Sequence, residues 1–213
     1  MSFSKSFAVF TAFIAWFALG LQLYILIDNV PGNGLSVMEA IARFFLFFTI
    51  LTNLLVAVCL TVRAAEPSNR LGHFFSRPSV LAATGVYILI VAIVYNTVLR
   101  SLWVPVGNQR LADELLHLIV PVCYLIYWFL FAPKYGLEWK HAVQWLIYPA
   151  IYLPYALLRG ALEGFYPYPF IDLGQNSIGK VVVNCLSMLC VFVVIGFLVV
   201  AIAKKMTGKK MIM

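Results

Sequence analysis

Residues 181 to 203 read VVVNCLSMLCVFVVIGFLVVAIA, and this stretch decides the fold class. It carries no charge, and it is long enough at 1.5 Å per residue to cross a hydrocarbon core of ~30 Å as one helix. A helix apolar on every side has no face to show to water, so it is read as a membrane span. Moving outward from this run, five more stretches have the same character. The expected spans are Ser6 to Ile27, Met38 to Val62, Ser79 to Leu99, Asp113 to Ala132, His141 to Arg159 and Gly179 to Ala203. The breaks between them hold Gly, Pro, Asn and charge, and they are short. The sequence therefore predicts an all-α polytopic membrane protein, with residues 1–213 forming a single domain of six transmembrane helices. There is no low-complexity linker and no internal repeat of the kind many transporters carry.

Composition agrees. Apolar residues make up 63% of the 213 and charged residues only 11%, against roughly 25% in a soluble domain, so the charged shell of a soluble fold is missing. The net charge of +7 first suggests nucleic acid, but the positions of the charges assign it to topology. With the N-terminus inside, Lys5, Arg63, Arg70, Arg77, Lys134, Lys140, Lys204, Lys205, Lys209 and Lys210 fall on the inner side. Arg43, Arg100, Arg110, Arg159 and Lys180 fall on the outer side. The ten-to-five bias places both termini in the cytoplasm. The basic tail faces anionic lipid of a bacterial inner membrane, and no nucleic-acid partner is expected. The first apolar run is longer than a signal-peptide core and no cleavage pattern follows it, so it is read as a retained helix. Cys59, Cys123, Cys185 and Cys190 all fall inside spans as small apolar residues, with no metal-ligand spacing, so neither a metal site nor a cofactor is expected. No feature of the sequence sets an oligomeric state.

Polar side chains at membrane depth need partners, which makes them the places to look for function. In the second span, Thr49, Thr52 and Asn53 sit at i, i+3 and i+4 beside a run of phenylalanines and share a helix face. Two readings stand side by side: Thr hydroxyls bonding back to carbonyls while Asn53 links two helices, or a polar site. His117 is the one histidine placed inside a span. Asp113 at i−4 or Glu114 at i−3 can orient its ring. A lone intramembrane His argues against a haem held by two histidines. In the fifth span Tyr148, Tyr152, Tyr155 and Arg159 form a helical stripe, and Pro149 and Pro154 are expected to kink the helix. The stripe reads either as a pocket wall for the polar end of a substrate or as an interfacial aromatic belt. Beyond it, Tyr166-Pro167-Tyr168-Pro169-Phe170-Ile171-Asp172 cannot continue a helix. It is expected to fold over the outer mouth, with Asp172 beside the substrate-binding residues.

These residues carry a resemblance. Phe47-Phe48-Thr49-Ile50-Leu51-Thr52-Asn53, the Tyr-Pro…Tyr…Tyr…Arg-Gly stretch from Tyr148 to Gly160, and Tyr166-Pro167-Tyr168-Pro169-Phe170 resemble the bacterial six-span "Pr-six-Pr" membrane proteins over nearly the whole chain. More remotely, the chain is similar to the animal androgen-induced membrane hydrolases, which cleave fatty acid esters of hydroxy fatty acids. The resemblance implies a lipid-ester hydrolase with Thr49 as nucleophile and His117 as base, and no cofactor. Thr52 stands where the animal pattern has Asp, and the spacing from His117 to Pro121 is one residue shorter.

On that reading Thr49 attacks the ester carbonyl, His117 takes the proton, and Asn53 donates to the oxyanion, with Thr52, Asp113 and Glu114 in support. Thr49 falls about eleven residues below the outer end of its span, ~16 Å, and His117 about one turn below its own. Contact between them therefore requires a tilted or earlier-starting fourth helix. The alternative is a transporter or binding protein for a lipid or small amphiphile, which needs the pocket but not the contact. A structural partner in a larger membrane complex needs neither.

Overall fold

The computed structural model describes residues 2–210, with the side chains of Asn33 and of Lys209 and Lys210 in the basic tail outside the description. The described residues form helices and tight turns without a strand. Five helical stretches among them are long and apolar enough to cross a membrane: Phe3–Gly32, Phe48–Ala65, Pro78–Leu102, Gly107–Leu130 and Ile178–Gly208. This is the architecture of a polytopic helical membrane protein. The chain divides into two compact units, Met1–Gly136 and Leu137–Met213, and each is described by itself.

In the first unit, helix α1 (Phe3–Asp28) starts where the Ser2 hydroxyl accepts the Lys5 N–H. Its buried face is a stripe of small residues, Ala8, Ala12, Ala15 and Ala18, which lets a neighbour approach closely. After a single turn, α2 (Val30–Asn33), comes α3 (Val37–Phe44), opened by a capping box between Ser36 and Glu39. The chain then breaks and resumes as α4 (Phe48–Ala65), which packs along α1. That pair is pinned by the Trp16 indole donating to Thr61 Oγ1 at 3.1 Å and by Lys5 with Glu66 at 3.7 Å.

This break corrects the expected continuous span from Met38 to Val62. Neither Gly nor Pro causes it. Phe44, Leu46 and Phe48 are buried while Phe45 is exposed, a period of two that a helix cannot present and an extended residue can. Phe47 supplies that extended residue, with φ −81° and ψ 126°.

A short α5 (Arg70–Phe75) leads to α6 (Pro78–Val94), with Pro78 at its first position, where no intrahelical N–H is required. α6 continues into a π turn, Tyr95–Leu99. The fourth span begins at α7 (Gly107–Glu114), six residues before the expected Asp113, passes through a second π turn, Leu115–Ile119, and ends as α8 (Val120–Leu130). The earlier start is possible because the polar stretch Asn108-Gln109-Arg110 is partnered: Gln109 and Gln22 of α1 exchange amide hydrogen bonds of 2.9 and 3.4 Å. α8 lies on α6, where Tyr124 donates to the Leu81 carbonyl at 2.9 Å.

In the second unit, α9 (Trp139–Gln144) and α10 (Ile147–Glu163) replace the expected uninterrupted span from His141 to Arg159, while α11 (Ile178–Lys210) is one continuous helix that contains the expected span from Gly179 to Ala203. The break before α10 falls at Trp145 and Leu146. Pro149, four residues after Trp145, has no N–H for its carbonyl, so it sits in the first turn of a new helix rather than kinking an old one. α9 packs on α11 with Gly196 against Ala142 and Trp139 stacked on Phe197.

Candidate functional site

The site in the first unit is built around a backbone deficit. Val120 donates to the Leu115 carbonyl in the π register. The next residue, Pro121, has no N–H to give to the carbonyls of Leu116 and His117, five and four positions earlier. Two asparagines from other helices supply the missing donors. Asn53 Nδ2 of α4 donates to Leu116 O at 3.1 Å, and Asn96 Nδ2, in the opposing π turn, donates to His117 O at 3.2 Å. A buried carbonyl left without a donor costs roughly 1–3 kcal/mol, so these amides fix where the turn sits.

The side chain of His117 is held by its own helix. Nδ1 lies 2.9 Å from the Asp113 carbonyl and 3.2 Å from Asp113 Oδ1. Both neighbours are acceptors, which assigns a hydrogen to Nδ1; in the neutral ring the lone pair is then on Nε2. Asp113 is 4% exposed, and a carboxylate so buried needs donors. It has a second one in the hydroxyl of Tyr95. The Tyr95 ring stacks on the imidazole with centroids 3.7 Å apart and 13° between planes. The Trp103 indole donates to the Tyr95 oxygen at 3.3 Å. Of the two carboxylates that the sequence offered to His117, Asp113 takes the role. Glu114 turns away and forms a two-pronged pair with Arg100, 2.8 Å at each oxygen.

Thr49 stands in the first turn of α4, buried, and Thr52 and Asn53 follow one turn on, fully buried. The expected depth mismatch does not hold, because Asn53 bonds both Thr49 O and Leu116 O and so brings the Thr49 end of α4 level with the turn that carries His117. The break at Phe47 places Thr49 next to the start of its helix, and the start at Gly107 places His117 ten residues into its own, ~15 Å. The contacts of the His117 ring are Asp113 and Tyr95, while Asn53 ties the Thr49 end of α4 to the turn that carries the ring. Asn53 bonds Thr49 O at 2.9 Å as well as Leu116 O. This corrects its expected role as oxyanion donor, because both of its N–H groups are spent and what remains is the acceptor Oδ1. Among the described residues the buried Thr52 hydroxyl has no hydrogen-bond partner. It does not bond back along the helix and is a donor still available on the Thr49 face.

In the second unit, Tyr148, Tyr152, Tyr155 and Arg159 lie half-buried along one face of α10. Arg159 pairs with Glu163 on the next turn, past the expected helix end. Asp172 serves the turn that holds Tyr-Pro-Tyr-Pro-Phe. Its Oδ1 accepts Gly174 N–H at 2.8 Å, and its carbonyl accepts from Asn176. Asn184 of α11 donates to Phe170 O at 2.8 Å, fixing the same segment. Among the described residues no group of three or more His, Cys, Asp or Glu has the arrangement of a metal site. The sequence reading missed Tyr95 and Trp103. An aromatic at the end of an apolar run reads as an interface residue, and only the π turn brings Tyr95 onto His117.

No family model matches the chain, no curated protein matches it, and no solved structure matches its fold.

Proposed function

We propose that this chain is an integral membrane hydrolase of lipid esters, with Thr49 as nucleophile, His117 as base and Asp113 as the group that orients the base. One observation carries the reading. A buried Asp113 is joined to His117 at Nδ1, and Asn53 ties the turn that carries this imidazole to α4, the helix of Thr49. This arrangement of acid and imidazole fixes the tautomer and orientation of the base in hydroxyl-nucleophile enzymes. Thr49 Oγ bonds to the ester carbonyl carbon as its proton passes to Nε2. The ester C–O bond then breaks and Nε2 returns that proton to the leaving hydroxyl. Water, deprotonated by Nε2, releases the acid and restores Thr49. The Thr52 hydroxyl is the donor for the oxyanion, worth ~3 kcal/mol where such a donor is well placed. The phenylalanines flanking Thr49 suit an acyl chain.

The same proposal includes six crossings with both termini in the cytoplasm of a bacterial inner membrane. α10 supplies the sixth: at 17 residues it spans ~26 Å, close to the hydrocarbon thickness. The bias of Lys and Arg supports the direction, and the resemblance to six-span lipid-ester hydrolases supports the chemistry. The test is labelling of the purified protein by a lipid-like fluorophosphonate. Wild type is expected to label, and Thr49→Ala and His117→Ala to abolish it. A folded wild type that does not label refutes the hydrolase and favours a lipid transporter or binding protein.

A further inference from the structure

We infer that Tyr95 is the residue that positions His117 for its work as a base, an inference whose catalytic consequence rests on the hydrolase reading but whose geometry does not. Tyr95 is 4% exposed and opens one π turn, while His117 is the middle residue of the other. The direction of each hydrogen along the connecting chain is fixed by chemistry. An indole N–H can only donate, so the Tyr95 oxygen accepts from Trp103 and sends its own hydrogen to Asp113 Oδ2. That occupies one carboxylate oxygen and turns the other, Oδ1, to the His117 Nδ1–H. The phenol ring adds a second restraint by lying flat on the imidazole, and the Arg100 guanidinium rests over the same phenol ring, 5.5 Å from its centre. Trp103, Tyr95, Asp113 and His117 thus form one directed ladder, ending with a lone pair on Nε2.

The contacts from Asp113 of α7 leave this arrangement two ways to slip. The His117 Nδ1–H has two acceptors on Asp113, the carbonyl and Oδ1, and an imidazole free to rotate would also present its other nitrogen to them. Tyr95 blocks both escapes. Its hydroxyl anchors the carboxylate, and its ring prevents the imidazole from turning.

The test uses the full chain in lipid nanodiscs with His73 and His141 replaced by Gln, so that His117 is the sole histidine, followed by nitrogen-15 NMR. Expected are a protonated-type signal for Nδ1 and an unprotonated-type signal for Nε2. Tyr95→Phe keeps the stacked ring and removes only the hydroxyl. It should mix the two tautomers and slow fluorophosphonate labelling about tenfold, the worth of one good hydrogen bond. Trp103→Phe, at a position 44% exposed, breaks the outer rung alone. It should slow labelling about two- to threefold, and it stands in if Tyr95→Phe does not fold. A wild-type ring protonated at Nε2, or a folded Tyr95→Phe with unchanged tautomer and labelling, overturns the inference. A tautomer shift in a protein whose wild type never labels upholds the positioning role and defeats the hydrolase reading. Strong wild-type labelling that ignores Tyr95 does the reverse.

Discussion

Replacing Asn53 by Leu isolates the interaction that holds the His117 turn. Leu has the same branching and number of side-chain heavy atoms as Asn and is the bulkier of the two, so no cavity opens, and the interaction lost is the pair of amide hydrogens. One of them bonds Thr49 O, a carbonyl that the ladder of α4 already serves, and its loss is cheap. The other bonds Leu116 O, which Pro121 has deprived of a donor of its own. Leaving that carbonyl orphaned costs ~1–3 kcal/mol, although interhelical hydrogen bonds measured in membranes average only ~0.6 and reach ~1.7 kcal/mol. The change also removes the buried, unpaired Oδ1 of Asn53, which offsets part of the loss. A net destabilisation of about 1 kcal/mol follows, or ~2–4 °C in a chain of this length. The decisive comparison is a double-mutant cycle with Pro121→Ala, which returns an N–H to the fourth helix. In that background Asn53→Leu should cost almost nothing, a coupling of about 1 kcal/mol in equilibrium unfolding from mixed micelles followed by tryptophan fluorescence. If the two changes add to within ~0.3 kcal/mol, Asn53 is not compensating for the proline and the account of the turn is wrong.

The two carboxylates next to His117 are also expected to separate cleanly. Asp113→Asn replaces the acceptor for Nδ1–H and should slow fluorophosphonate labelling on the order of a hundredfold. Glu114→Gln touches only the Arg100 pair and should cost less than about threefold, as expected for a half-exposed ion pair. Equal losses in the two variants would show that the ring is held by neither as described. In the second unit, a Cβ on Gly160 would meet the Tyr166 ring, so Gly160→Ala should destabilise by ~1–3 kcal/mol. Tyr166→Ala in the same chain should recover part of this, as judged by thermal unfolding; no recovery would place the strain elsewhere.

Five long helices were legible because lipid removes the need for a polar face, and uninterrupted apolar runs are then a direct record of length. Breaks inside those runs were not. The link at Phe45 to Phe47 uses residues that suit a helix, and only the alternating burial of Phe44, Leu46 and Phe48 betrays it. The early start of the fourth helix was hidden because Gln109 looks solvated until Gln22 is placed beside it. At the site, Asp113 and His117 could be paired from their spacing of four. Asn53 could be read as a link between helices, but not that the link consumes both its hydrogens. Tyr95 was out of reach, since it meets His117 through two π turns for which the local sequence has no signature.

Those π turns have a consequence for how the chain can change length. Each accommodates one residue more than an α-helix of the same rise, and in a helix every added residue rotates what precedes it by roughly 100°. A π turn takes up that rotation within itself, so the helix keeps its phase on either side. Deleting one residue from Leu115–Ile119 would close the turn to α and leave Asp113 and Gln109 facing Tyr95 and Gln22. The loss would fall on the Leu116 and His117 carbonyls, whose register Asn53 and Asn96 serve. Along these two segments a change of one residue in length is absorbed by the helices and felt at the site.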